Sequence, residues 1–168
     1  YMLDNERPVV FPNERIAFTR TIPVLPELFT PEELAELKKT HWIHEQGEVC
    51  NINVDYAKLM NTGFDAKREE LKRLAQARRE KGETEKADYL LAQERILAHA
   101  QQLADRYAAQ AKAIGNETVA QTLAQVPAKA PRNLLEAMQM FRILHFIMWA
   151  GHNYHNTVGR LDQYMYPY

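Results

Sequence analysis

The most apolar pattern in the chain runs from Leu134 to Ala150. Leu135, Met138, Phe141, Ile143, Leu144, Phe146, Ile147, Met148 and Trp149 cover nearly every side of a predicted helix, so that helix must be enclosed. Arg142 and His145, three apart on it, then need partners inside, and a satisfied core histidine is the simpler reading of His145. Asn133-Leu134-Leu135-Glu136 reads as the capping box that opens it. Upstream lie two longer helical segments with apolar positions at three- and four-residue steps. Phe64, Leu71 and Leu74 mark one face of the first, whose exterior carries Arg68, Glu69, Lys72, Arg73, Arg78, Arg79 and Glu80. Leu90, Leu97, Ala100, Ala104, Tyr107, Ala111 and Ile114 mark the second. Gly82-Glu83-Thr84 separates them, with Thr84 as the expected cap, and Gly115-Asn116 ends the pair. The seam is no strict heptad repeat, which favours scaffold helices over an antiparallel coiled-coil hairpin for partner binding.

Shorter signals fill in the rest. Thr30-Pro31-Glu32-Glu33 is a helix start, and that helix should end near His41. Asp55 should cap a short helix that Gly63 stops, leaving the stretch before it as an anchored loop. Glu117 to Gln125 is another short helix, followed by the stiff connector Pro127-Ala128-Lys129-Ala130-Pro131. Residues 1–29 read as an extended arm with two short runs, Val9-Val10-Phe11 and Ile16-Ala17-Phe18, and a turn at Pro12-Asn13-Glu14. The fold class expected is mainly α with short β elements. At the other end, Gly159 to Tyr166 reads as extended, and alternation then puts Arg160, Asp162 and Tyr164 on one side with Leu161, Gln163 and Met165 on the other. A buried Arg160–Asp162 pair would act as a structural clamp on the strand end.

Composition narrows the function. The 168 residues suit one domain with a real core. A net charge of −1, with basic residues dispersed among acidic ones, gives no footprint for nucleic acid. The single cysteine, Cys50, excludes an internal disulfide framework, has no basic neighbour to lower its pKa, and reads as an inert thiol in a reducing compartment. The apolar run Phe141 to Trp149 is short and broken by His145, whereas a membrane span needs about 20 apolar residues. With no signal peptide at the start, a soluble, cytoplasmic protein is expected, without a membrane partner. His41 and His44 lack a third ligand nearby, so no metal site is expected. Arg7, Arg15 and Arg20 do not cluster with aromatic or glycine partners and read as solvated or paired on the surface.

One set of motifs carries more. Gly159-Arg160-x-Asp162-Gln163-Tyr164-x-Tyr166-Pro167-Tyr168 is preceded by Val126-Pro127-Ala128-Lys129 and Glu136-Ala137-Met138-Gln139. Near the start stand Arg7-Pro8-Val9-Val10 and Pro12-Asn13-Glu14-Arg15-Ile16. In this order the chain resembles the N-terminal part of glycyl radical enzymes, the pyruvate formate-lyase-like family, in its dehydratase, lyase and decarboxylase branch. The resemblance implies a segment of a ten-stranded α/β barrel: residues 1–168 would be part of one such domain, with 1–29 as an arm, 30–150 as helical scaffold and 151–168 as the first inner barrel strand. It implies a formate acetyltransferase-like radical lyase or dehydratase that cleaves a C–C, C–O, C–N or C–S bond of a small-molecule substrate.

In the family a glycyl radical is installed by an iron–sulfur AdoMet radical activating enzyme. The loops that hold the family's cysteine (Gly-Cys-x-Glu) and glycine (Arg-Val-x-Gly-Tyr) are not in these residues, so no catalytic residue is expected within the chain, no cofactor is expected on it, and it should be inactive alone. A homodimer is a further expectation. Substrate-contact positions carry over at three places. Counting back from Asp55-Tyr56 puts Asn51 where diol dehydratases have a histidine and Cys50 where they have a glycine. Asparagine does not titrate, so Asn51 would orient substrate, or else simply turn the loop. Tyr154 and His155 stand where those enzymes carry a His-Ser pair, a replacement that argues against a glycerol- or propanediol-type substrate. The alternative class is a stand-alone helical interaction or regulatory module derived from such an enzyme.

Overall fold

Four of the helices begin where a side chain takes up a free backbone N–H group. The computed structural model describes residues 2–19, 29–40, 48–49, 53–150, 153–154 and 156–168. Arg20, His41, His44, Cys50, Asn51 and His155, singled out above, lie outside them. In order, the elements are α1 (Met2–Asn5), α2 (Pro31–Lys39), β1 (Glu48–Val49), α3 (Tyr56–Glu80), α4 (Thr84–Ala113), α5 (Glu117–Gln125), α6 (Leu134–Ala150), β2 (Asn153–Tyr154) and α7 (Leu161–Met165). The chain is mainly helical, as expected.

Thr30 forms the full capping box: its hydroxyl accepts from the Glu33 N–H at 3.2 Å, and the Glu33 carboxylate accepts from the Thr30 N–H at 2.8 Å. Asp55, Asn116 and Asn133 each cap a helix by accepting from the N–H three residues on, at 3.1, 3.1 and 3.0 Å. The box at Asn133 closes one residue early. The Glu136 carboxylate reaches the Arg132 N–H at 2.7 Å and its guanidinium at 2.6 Å, because the cation outcompetes the bare Asn133 N–H. Thr84 is the first helical residue and not the cap. Glu83 takes the cap position without a capping bond, its carboxylate held by Lys86 at 2.9 Å and Arg78 at 2.8 Å. Those two cations lower its pKa to about 2.

Within α3 the helix breaks at Gly63, where φ is 73° and ψ is 176°. This is backbone that only glycine adopts readily. The break frees two N–H groups, and the connector after α5 accepts both: Phe64 N–H donates to the Pro127 carbonyl at 2.8 Å, Asp65 N–H to that of Ala128 at 3.0 Å. The contact is tight enough that a Cβ on Gly63 would stand 2.6 Å from the Ala128 carbonyl oxygen and from the Lys129 Cα. The connector expected as a spacer is therefore the partner of the broken helix.

Two cores flank this joint. In one, Val10, Ala17 and Phe18 of the arm pack on Leu103 and Tyr107 of α4, Leu123 of α5 and Ile143 and Phe146 of α6. Phe18 has a φ of 65°, a left-handed conformation costly for a bulky residue. Its ring stacks on Tyr107 at 3.9 Å and meets Phe146 edge-on at 5.3 Å, which holds it there. In the other core, Tyr56, Met60 and Phe64 of α3 meet Ala137, Met140 and Leu144 of α6, with Tyr164 of α7 on top. Polar side chains fasten the arm by its backbone. Arg106 donates to the carbonyls of Leu3, Asp4 and Glu6. Asn116 donates to those of Phe11 and Glu14, and the fully buried Gln139 accepts from Ala17 N–H at 2.7 Å and donates to Ala17 C=O at 3.3 Å.

β1 and β2 pair in parallel, Glu48 opposite Asn153 and Val49 opposite Tyr154, and a bridge between Asn53 and Thr157 continues the pairing. Parallel neighbours need a long crossover. The block from α3 to α6 supplies it. The expected extended segment from Gly159 to Tyr166 is corrected: the chain turns at Gly159, with a φ of 57°, and winds into α7 at Leu161. Alternation describes a strand only while the backbone stays extended, and the left-handed glycine ends that.

The joint at Gly63 yields a test by denaturant unfolding. Gly63→Ala should destabilise the chain by more than about 2 kcal/mol, since it adds a backbone clash to an unfavourable φ/ψ. Gly82→Ala, at a φ of 73° but with open space around it, should lose only about 1 kcal/mol.

Candidate functional site

A cleft of about 480 Å³ opens where the two parallel segments end, between the first turn of α3 and α7. One wall is Asn53 to Ala57, the other Gly159, Arg160, Gln163 and Tyr164. Asn53 and Gly159 meet at its base: a Cβ on Gly159 would stand 3.0 Å from both amide atoms of Asn53. The glycine is thus required twice, by its positive φ and by the amide laid against it.

Aromatic rings close the inner side. Tyr56, 2% exposed, stacks on Tyr164 with centroids 5.2 Å apart and meets Phe141 at the same distance. The Tyr56 hydroxyl is buried and finds no hydrogen-bond partner among the described residues, and burial raises its pKa. Tyr164 donates to the Val158 carbonyl at 2.6 Å, which ties α7 to the segment before it, and Tyr168 donates to the Met60 carbonyl at 3.3 Å, which ties the C-terminal end to α3. Burial, and secondly the neighbouring Tyr56, push the Tyr164 pKa up to about 12. Deeper in, Arg142 donates to His145 Nδ1 at 2.9 Å. Burial first and the Arg142 charge second hold the His145 pKa below its ordinary value. A nitrogen that accepts from a guanidinium carries no proton, so His145 is a neutral part of the packing.

Arg160 and Asp162 do meet, Nε to Oδ1 at 2.9 Å and Nη2 to Oδ2 at 2.6 Å. Each stabilises the charge of the other, raising the Arg160 pKa and lowering that of Asp162. The expected burial is corrected, however, because their side chains are 67% and 65% exposed. Arg160 precedes α7 and Asp162 lies in its first turn, so both point to solvent while Tyr164 turns inward. Water screens such a pair, and it cannot clamp the chain as a buried one would. Tyr164 does the anchoring instead.

Of the predicted contact residues, Tyr154 lies in β2, while Asn51 and His155 fall outside the described residues. The flanks of both stretches are nonetheless joined, through Val49 with Tyr154 and Asn53 with Thr157. Sequence reasoning missed Asn53, Tyr56 and Gln163 as cleft residues. The signal available was the Asp55-Tyr56 helix start facing a Gly159-Arg160 turn. Among the described residues no three His, Cys, Asp or Glu side chains are placed to hold a metal ion, and no helix is long and apolar enough to cross a membrane.

Tyr164 gives a pH test. A tyrosine whose pKa is raised by folding, here from 10.0 to about 12, supports the fold fully below pH 10 and loses that support as pH climbs towards 12. Urea midpoints measured across this window should fall with pH in the native chain and fall less steeply in Tyr164→Phe. The variant should also lose about 1 kcal/mol at neutral pH, for the bond to Val158. Equal slopes for the two proteins would contradict the assignment.

Comparison with known proteins places this architecture. The family model described as pyruvate formate lyase-like matches residues 26–168. Among solved structures, the glycerol-bound form of the B12-independent glycerol dehydratase from Clostridium butyricum shares the fold, with a TM-score of 0.69 at 20% sequence identity. The likeness covers 99% of this chain and 30% of that one, so the chain spans about 30% of the length of that enzyme. No curated protein matches the sequence. The family match extends over most of the residues, including the Gly159-Arg160-x-Asp162-Gln163 turn and the connector that receives Gly63, and the chain belongs to the pyruvate formate lyase-like family.

Proposed function

We propose that these residues are the N-terminal part of a glycyl radical lyase or dehydratase, supplying scaffold and pocket residues for bond cleavage on a small-molecule substrate. The observation that carries this reading is the parallel pairing of the segments around β1 and β2. These are the two stretches that bear Asn51, Tyr154 and His155, and their pairing brings residues about a hundred positions apart into neighbouring strands. Family membership and the glycerol dehydratase fold support it. On this reading β1 and β2 are adjoining strands of the family's barrel, and α3 to α6 lie outside it as the crossover.

The roles follow from side-chain chemistry. Asn51 donates and accepts hydrogen bonds without titrating, so it orients a substrate oxygen or nitrogen. His155 can do the same and also hold a proton near neutral pH, while Tyr154 offers a hydroxyl. The radical belongs to residues outside this chain, whose only cysteine, Cys50, stands outside the Gly-Cys-x-Glu setting. Its installation falls to an iron–sulfur AdoMet activating enzyme, and the setting is the anaerobic cytoplasm. A His-Ser pair replaced by Tyr154 and His155 favours a substrate other than glycerol or propanediol.

Electron paramagnetic resonance on the full-length enzyme tests this. Asn51→Ala and His155→Ala should each lower turnover at least about tenfold while leaving the glycyl radical doublet at native yield. Radical yield falling in step with activity would make both residues structural. The 168-residue chain alone, incubated with activase and AdoMet, should give no doublet.

A further inference from the structure

The outer side of α7 stays in solvent together with the cleft it borders. Val158 is 41% exposed, Leu161 40% and Tyr166 89%, three large apolar side chains within nine residues. Each stands next in the chain to a residue of the cleft wall: Val158 to Gly159, Leu161 to Arg160 and Tyr166 to Pro167. The cleft inside this apolar rim is polar. Asn53 and Asn61 on one wall and Gln163 on the other bring exposed carboxamides to it. Arg160 engages Asp162 through Nε and Nη2, which leaves Nη1 out of that pair. On the inner side the Tyr56 hydroxyl is buried without a hydrogen-bond partner among the described residues.

This set of donors and acceptors matches a peptide main chain. A carboxamide both donates and accepts, so it pairs with the C=O and N–H that each residue of an extended segment presents. Arg160 Nη1 and the Tyr56 hydroxyl need acceptors, and backbone carbonyls are acceptors. A buried hydroxyl left unpaired is costly, so its acceptor belongs to the completed fold. The rim decides between a chain segment and a small polar molecule. A small hydroxylated ligand would meet the carboxamides and leave Val158, Leu161 and Tyr166 bare, whereas a segment with apolar side chains covers them as well.

We propose that the cleft and the apolar rim of α7 are the docking surface for an extended segment of the enzyme's own chain beyond Tyr168. This rests on the reading of these residues as the N-terminal part of a longer enzyme, in keeping with a chain that spans about 30% of the glycerol dehydratase. On that reading the chain continues from Tyr168, and its neighbour Pro167 is already part of the cleft wall. Docked there, the segment holds α7 against α3 from outside. It also fixes the contact of Asn53 with Gly159 at the ends of the two paired segments.

A photo-reactive phenylalanine analogue placed at Gln163, and separately at Asn61, in the full-length enzyme tests it. Irradiation and peptide mapping should put most cross-links within the same polypeptide, on residues after Tyr168. Tyr56→Phe should lower the urea midpoint of the full-length enzyme, because the acceptor of its hydroxyl is left unpaired. Cross-links only to residues 1–168, cross-links to a second polypeptide, or none at all overturn the proposal. So does a cross-link that substrate displaces, which makes the cleft a substrate site, and so does a Tyr56→Phe midpoint at or above the native one. The glycyl radical doublet, recorded on the same preparations, keeps the two readings apart. A native doublet without the cross-link removes the docked segment alone, and the cross-link without a doublet removes the radical reading alone.

Discussion

The constraint on which the rest depends is the break of α3 at Gly63. A helix that continued straight through would carry the Tyr56 turn away from α6, and no side chain larger than hydrogen fits against the Ala128-Lys129 backbone at the break. Two backbone N–H groups lose their helical acceptors there, and leaving such groups buried and unpaired costs about 1 to 3 kcal/mol each. The connector carbonyls of Pro127 and Ala128 remove that cost and in doing so fix the angle between the two pieces of α3. From the short first piece hang Asp55 and Tyr56, and with them one wall of the cleft.

The other parts are fastened by the same kind of bond, side chain to backbone. The arm before residue 20 has too little apolar surface to fold by itself, and its extended backbone leaves N–H and C=O groups to be satisfied. Arg106, Asn116 and Gln139 supply that, each at a different depth, and Phe18 adds the apolar contact that holds its own strained backbone. At the other end Tyr164 and Tyr168 reach carbonyls of Val158 and Met60. Arm and C-terminal segment meet the helices through named polar contacts, which sets their register as an apolar contact alone would not.

Local chemistry was legible in the sequence at most of the helix starts and stops. The caps at Thr30 and Asp55 and the bounds of Glu117–Gln125 follow from side chains that reach only their own helix turn, and the stop at Gly63 from the backbone freedom of glycine. What was not legible depends on competition between neighbours or on distant partners. Glu136 turns to Arg132, a choice decided by competition between two donors. The Gly159 segment reads equally as strand or turn until Asn53, more than a hundred residues away, is laid against the glycine. Whether Arg160 and Asp162 are buried is decided by what covers them, and spacing holds no record of that. For the site, resemblance alone pointed to the stretches around Asn51 and Tyr154, and their pairing at β1 and β2 was not read from the sequence, since no local pattern links residues so far apart.

Hydrogen exchange at two amides tests the central role of the Gly63 joint most directly. Phe64 and Asp65 open a helical piece, and the first N–H groups of an ordinary helix start exchange quickly. Here both donate to the connector at 2.8 and 3.0 Å. If that joint is the fixed point of the fold, their exchange in the native state should be as slow as that of the buried core amides of α6 and proceed only with global unfolding. Exchange of the two amides at the rate of a fraying helix end, while α6 stays protected, would contradict the account.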